Sequence, residues 1–177
     1  MSSNIVFIDA RVDNFQSLLS GLEPNTEAVI LDPTQDGISQ ITEFLKARSG
    51  VVDSVQILSH GSAGSLQIGS TELNSNNLEQ YKQSLQQWFS PLLNKRPDLI
   101  LYGCEVGSGL VGDNFIQKLG AITGADVAAS VDLTGSAAKG GNWILEKATG
   151  IIEAGQAFTQ AVRDAYQSVL ATYLVKY

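Results

Sequence analysis

The 177-residue chain is short of the residues that usually announce a function: it has one cysteine, one histidine, one methionine and four prolines. A single cysteine makes no internal disulfide, so nothing in the cysteine count argues for an oxidising compartment. With one His and one Cys, a zinc site would need carboxylates for its remaining ligands, which sets aside the usual Cys/His ligand sets. Charged residues make up only 16% of the chain, and 11 Lys+Arg against 18 Asp+Glu leave a net charge of −7. The longest basic cluster is Lys95-Arg96, so nucleic acid and anionic membranes are poor partners. No apolar run approaches the ~20 residues of a membrane span, and the N-terminus has neither a basic n-region nor an apolar h-region. As it stands the chain is expected to be soluble and cytoplasmic, without a Sec signal; a longer parent polypeptide would leave a non-Sec export route open.

What the chain does have is a core. Hydrophobic residues make up 44% of it, and a single domain of this length buries roughly 70% of its unfolded surface. Short apolar runs recur at Ile5–Ile8, Ala28–Leu31, Val55–Leu58, Leu99–Tyr102 and Val127–Val131. Most are continuous rather than alternating, the pattern of strands covered on both faces of a parallel sheet. Between them lie segments with helical spacing, such as Ile38, Ile41, Phe44, Leu45 and Phe115, Ile116, Leu119. Asp13, Asp36, Ser75 and Asp113 read as helix starts, and Gly21, Gly50, Pro97 and Gly120 as stops. A hairpin is expected from Ser65–Ile68 and Thr71–Leu73, a further strand at Trp143–Leu145, and a last amphipathic helix over Gln156–Tyr173. The fold class is α/β: a three-layer sandwich with a mainly parallel sheet over residues 1–154, with 155–177 as a C-terminal helix packed on it or extending from it.

In such sheets ligands collect beyond the carboxyl ends of the strands, where strand order reverses. The third strand ends in Leu58-Ser59-His60-Gly61 and the fourth in Tyr102-Gly103-Cys104-Glu105, so the only histidine and the only cysteine occupy the same structural station. An imidazole beside a thiol can take its proton and make it a nucleophile. A helix starting near Gly109–Asp113 would add a positive N-terminal field to the thiolate. The amides of Gly61 and Cys104 are candidate donors to the oxyanion of an acyl transfer. Free cysteines are also among the most buried residues, so packing alone accounts for Cys104 equally simply. Gly103, Gly107, Gly109 and Gly112 do not form a phosphate loop, because no Gly-Lys-Ser/Thr follows and no GxGxxG opens the first β-α unit. No cofactor and no metal are expected.

The blocks ILSHG at Ile57–Gly61 and LILYGCEVG at Leu99–Gly107 resemble the caspase/gingipain/legumain superfamily, the clan CD cysteine peptidases, whose core strands end in His-Gly and then in the Cys. A nearer resemblance is to a bacterial domain of unknown function found in long repeat-bearing surface or exported proteins. The segments VFIDARVDNFQSLLSGL, LSHGSAGSLQIG, YGCEVGSG and TGADVAASVDLTGSAAKGGNWILE (Thr123–Glu146) carry it, over about residues 4–154. The resemblance implies a caspase-like (flavodoxin-like) topology, with His60 as general base, Cys104 as nucleophile, and Gly61 with Cys104 as oxyanion donors. The substrate it implies is a polypeptide, cut in cis or in trans. In that superfamily the pocket for P1, the residue that supplies the scissile carbonyl, is lined by loops that here hold Asp9, Arg11, Asp13 and Asp132. Asp9 and Asp132 would favour Lys or Arg at P1, Arg11 an acidic residue, and Asp13 suits a helix N-cap. The Gln-Ala-Cys block of caspases is absent, so caspase specificity does not transfer. Two other classes stay open: a catalytically silent interaction or targeting module, and a small-ligand flavodoxin-like binder.

Overall fold

In the computed structural model, which describes residues 3–48, 52–89 and 96–170, the apolar runs become strands and the polar residues at their ends set where they stop. In chain order the elements are β1 (Asn4–Asp9), α1 (Phe15–Leu19), β2 (Thr26–Leu31), α2 (Gly37–Ala47), β3 (Ser54–Leu58), β4 (Gly61–Ser62), β5 (Ser65–Ile68) and β6 (Thr71–Asn74). A single 3-10 turn at Leu78–Tyr81 leads into α3 (Lys82–Leu85), followed by β7 (Asp98–Tyr102), α4 (Gly109–Thr123) and β8 (Asp126–Ala129). After a second 3-10 turn at Ala137–Lys139 come β9 (Lys147–Ala148) and α5 (Gln160–Ala165).

The main sheet has the order β2-β1-β3-β7-β8-β9, with all pairs parallel except β8 with β9. This is the doubly wound arrangement in which the chain reverses direction across the sheet between β1 and β3. Successive side chains of a strand point to opposite faces, and the core divides accordingly. Ile5, Phe7, Val55, Ile57, Leu99 and Leu101 pack with Ile38, Ile41, Leu85 and Phe115 on one face. Val6, Ile8, Leu58, Ile100, Tyr102 and Cys104 pack with Leu18, Phe158, Tyr166 and Leu170 on the other. Helices therefore cover both faces of a mainly parallel sheet, the three-layer α/β fold that the apolar runs imply. A second small antiparallel sheet, β4-β5-β6, contains the expected hairpin.

Several boundaries differ from the sequence reading, each for a local reason. Asp36 caps α2, its carboxylate accepting from the amides of Ile38 and Ser39. Asp13 caps nothing: Asn14, in the left-handed region at φ 49°, precedes α1. The helix read as starting at Ser75 is reduced to the Leu78–Tyr81 turn and the four residues of α3. Helix α4 begins at Gly109, within the expected Gly109–Asp113 start and ahead of Asp113 itself, and it runs through Gly120 to a left-handed cap at Gly124, φ 77°. The expected stop at Gly50 lies outside the described residues. Trp143–Leu145 is not a strand; Trp143 instead buries its ring against Tyr102, Phe158 and Tyr166.

The helix expected over Gln156–Tyr173 shrinks to α5, and Tyr173 lies outside the described residues. Phe158 is bridged antiparallel to Leu22, and Val169 to Gly135. The Thr159 amide donates to the Gly21 carbonyl, and the Leu170 amide to that of Thr134. Backbone groups engaged by distant segments of the chain are withdrawn from an i→i−4 ladder, so tertiary pairing overrides a helical apolar period.

Candidate active site

The register of the sheet brings the two singleton residues to one level. Leu58 lies beside Tyr102 where β3 pairs with β7, and beside Ile8 where β1 pairs with β3. The Ser59 amide still reaches the Tyr102 carbonyl at 3.1 Å. Asp9–Arg11, His60–Gly61 and Gly103–Cys104 therefore leave neighbouring parallel strands together, at the carboxyl edge next to the reversal point.

Both nitrogens of His60 are accounted for. Nε2 lies 3.2 Å from the Arg11 carbonyl oxygen. A carbonyl only accepts, so this contact places a proton on Nε2, and in the neutral ring the lone pair is then on Nδ1. Nδ1 is buried and has no hydrogen-bond partner among the described residues. The ring is thus oriented by Arg11, with Nδ1 unpartnered among the described residues. It is hydrogen-bonded to Arg11 and not to Cys104.

Cys104 is fully buried. Its Sγ accepts from the Thr134 amide at 3.2 Å and faces the Thr134 carbonyl oxygen at 3.6 Å. Burial pushes the thiol up from 9.0 to about 11, against the smaller lowering effect of the Thr134 and Leu170 backbone groups. Of the two readings of Cys104, an imidazole-activated nucleophile or a packed thiol, the contacts here are those of a covered, protonated thiol. Just after it, Glu105 sits at φ 61°, left-handed backbone that is uncommon for a side-chain-bearing residue, so the chain turns sharply at the end of the Cys104 strand.

The amides of Gly61 and Cys104 converge on one acceptor. Gly61 donates at 2.9 Å and Cys104 at 3.2 Å to the carbonyl oxygen of Leu170. That carbonyl belongs to an extended segment pinned at several points. The Leu170 amide donates to the Thr134 carbonyl at 3.0 Å, and the Ser136 amide to that of Ser168 at 2.8 Å. The Tyr166 hydroxyl donates to the Asp13 carbonyl at 2.6 Å. Leu170 and Tyr166 are both buried in the apolar cluster that holds Cys104. Burying a leucine side chain contributes about 2 kcal/mol, so this strap is a substantial part of how that face is closed.

The two carboxylates read as P1 selectors are engaged elsewhere. Asp9 is 1% exposed; it accepts from the Arg11 amide and guanidinium and from the Gly69 amide at 2.7 Å. Arg11 also donates to the Gly69 carbonyl, so the pair fastens the β5–β6 turn to the end of β1. Asp132 accepts from Ser130 Oγ at 2.9 Å and from the Asn142 side chain at 3.3 Å, which is turn chemistry. Neither stands as a free carboxylate. Thr134 and Leu170 escaped the sequence reading, because a residue recruited through its backbone leaves no side-chain signature.

Among solved structures, one match is caspase-1 from Spodoptera frugiperda, 16% identical, covering 59% of this chain and 49% of that one, at a TM-score of 0.36. The chain thus spans about half the length of that caspase. No curated protein matches the chain. Residues 5–170 match the family described as a domain of unknown function, DUF4347. The match takes in both strand-end blocks and the segment that reaches back to them, and the chain belongs to that family.

Proposed function

We propose that this domain is a cysteine endopeptidase or self-processing peptidase, with Cys104 as nucleophile and His60 as general base. The observation that carries the reading is the pair of amides, Gly61 and Cys104, directed at a single peptide carbonyl oxygen. Two fixed N–H donors at that position stabilise the oxyanion of acyl transfer, and loss of one such donor typically slows an enzyme by about 10²–10³. The bare Nδ1 of His60, fixed by the Arg11 contact, supplies the base. Sγ must leave Thr134 by rotation about its Cα–Cβ bond before it reacts, so the protonated, buried thiol is a resting state. His60 then takes the thiol proton, sulfur adds to the carbonyl carbon, and the proton passes to the departing amine. Water, activated by the same imidazole, clears the thioester. The substrate is a polypeptide, cut in cis or in trans.

A test is cleavage of an unfolded protein or of the chain itself. Cys104→Ala and His60→Ala are each expected to abolish it while far-UV circular dichroism stays unchanged. Cleavage that persists in Cys104→Ala sinks the reading. The second reading, a catalytically silent interaction module, is favoured by one observation: burial holds the thiol near 11, with no hydrogen bond to His60. Failure of a peptidyl acyloxymethyl ketone to label Cys104 at any pH would favour that module.

A further inference from the structure

An extended segment of the chain itself lies against Cys104, its Leu170 carbonyl oxygen accepting from the Cys104 and Gly61 amides. Residues 168–170 run antiparallel to 134–136: the Leu170 amide donates to Thr134, the Ser136 amide to Ser168, and Val169 is bridged to Gly135. Addition of an extended strand to an exposed edge is a general mode of peptide recognition, with backbone bonds supplying affinity and alternate side chains supplying specificity. Gly135 makes room for it. At φ 129°, a Cβ there would lie 2.3 Å from the Ser168 carbonyl oxygen and 2.9 Å from Val169 Cα. The Leu170 carbonyl oxygen lies between the two donor amides, and the Leu170 side chain is fully buried in the apolar cluster. Upstream, the Tyr166 ring packs against Trp143 at 5.9 Å and its hydroxyl anchors the segment on Asp13.

We propose that Leu170 is the P1 residue of an intramolecular cleavage, in which Ser168–Leu170 is the bound substrate strand and the peptide bond from Leu170 to Ala171 is cut. The inference rests on the peptidase reading and adds the site and the specificity. P1 is apolar and leucine-like rather than basic, because Leu170 enters an apolar cluster while Asp9 and Asp132 are held within the fold. In the first step Cys104 Sγ gives its proton to His60 Nδ1 and bonds to the Leu170 carbonyl carbon. The bond to the Ala171 nitrogen breaks, and that nitrogen takes the proton from His60. Water then hydrolyses the thioester, leaving a Leu170 carboxylate and restoring the thiol.

The test follows the intact mass of the full chain during incubation, together with labelling of Cys104 by an acyloxymethyl ketone carrying Tyr-Gln-Ser-Val-Leu. The expected result is loss of the mass of Ala171–Tyr177 from the wild type and none from Cys104→Ala. Leu170→Ala and Leu170→Asp are expected to slow the cut roughly tenfold or more, since P1 contacts are removed. Circular dichroism monitors the fold of each, and Leu170→Ala carries the comparison if the aspartate unfolds the chain. A Cys104-dependent cut at another bond overturns Leu170 as P1 and leaves the peptidase standing. So does a chain that stays whole while a Leu170 variant exposes Cys104 to the ketone, for then the strap is a plug and not a substrate. Absence of both cutting and labelling in every variant overturns the peptidase reading, and this proposal with it.

Discussion

The amide of Gly61 donates at 2.9 Å to the carbonyl oxygen of Leu170, so the residue that follows the only histidine grips a segment from the far end of the described chain. Gly61 also begins β4, where the antiparallel register sets it opposite Leu66.

Gly61→Ala is expected to disturb this contact before anything else. A Cβ at that position would lie 2.7 Å from Val106 Cγ2 and 3.3 Å from the Cys104 carbonyl oxygen. Val106 is fully buried, so relief requires a backbone shift at about 1–3 kcal/mol of stability. Urea unfolding should report that loss, and on the peptidase proposal the rate of self-cleavage should fall further than stability alone explains, because one of the two proposed oxyanion donors is misplaced. Unchanged cleavage kinetics would detach Gly61 from the chemistry.

The thiol makes a prediction with a definite sign. Burial raises Cys104 to about 11 in the folded chain, above its ordinary 9.0. The folded form therefore holds the proton more tightly than the unfolded form. The stability linked to this group is complete below pH about 9 and is lost as pH rises toward 11. The difference in unfolding free energy between wild type and Cys104→Ala should shrink across that interval. Iodoacetamide should modify folded Cys104 at pH 8 about 100-fold more slowly than an ordinary thiol, since two pH units separate their thiolate fractions. Modification at the free-thiol rate at pH 8 would contradict the closed strap.

Asp9→Asn separates a structural role from a selective one. The carboxylate is buried and gathers the Arg11 guanidinium with the amides of Arg11 and Gly69. Hydrogen bonds to a charged group are worth about 1.5–3 kcal/mol each, and Arg11 is 41% exposed, which lowers its share through solvent screening. The variant is expected to lose about 2 kcal/mol in urea unfolding with no change in P1 preference across a peptide library. A specific loss of cleavage after Lys or Arg would instead restore Asp9 as a P1 selector.

Much of the scaffold can be read directly from the chain because its signals are local. Continuous runs such as Ile5–Ile8 and Leu99–Tyr102 can be hidden only inside a sheet covered on both faces, and the structure buries all of these side chains. Asp36 carries its own capping chemistry and starts α2 where its carboxylate reaches two amides. Where a local signal competed with a distant partner, the distant partner won. The helical stripe over Gln156–Tyr173 gave way to strand bridges from Phe158 and Val169, and Trp143 entered an aromatic cluster instead of a strand.

The order of residues alone placed His60 and Cys104 at the ends of consecutive core strands, because parallel strands share a direction and their exits must fall on one edge of the sheet. Folding decided what surrounds them: an imidazole turned to Arg11, a thiol turned to Thr134, and a carbonyl from Leu170 between the two amides. Each of those contacts uses a backbone atom of a residue far away along the chain. Every residue carries the same amide and carbonyl, so no side-chain pattern marks which of them will meet.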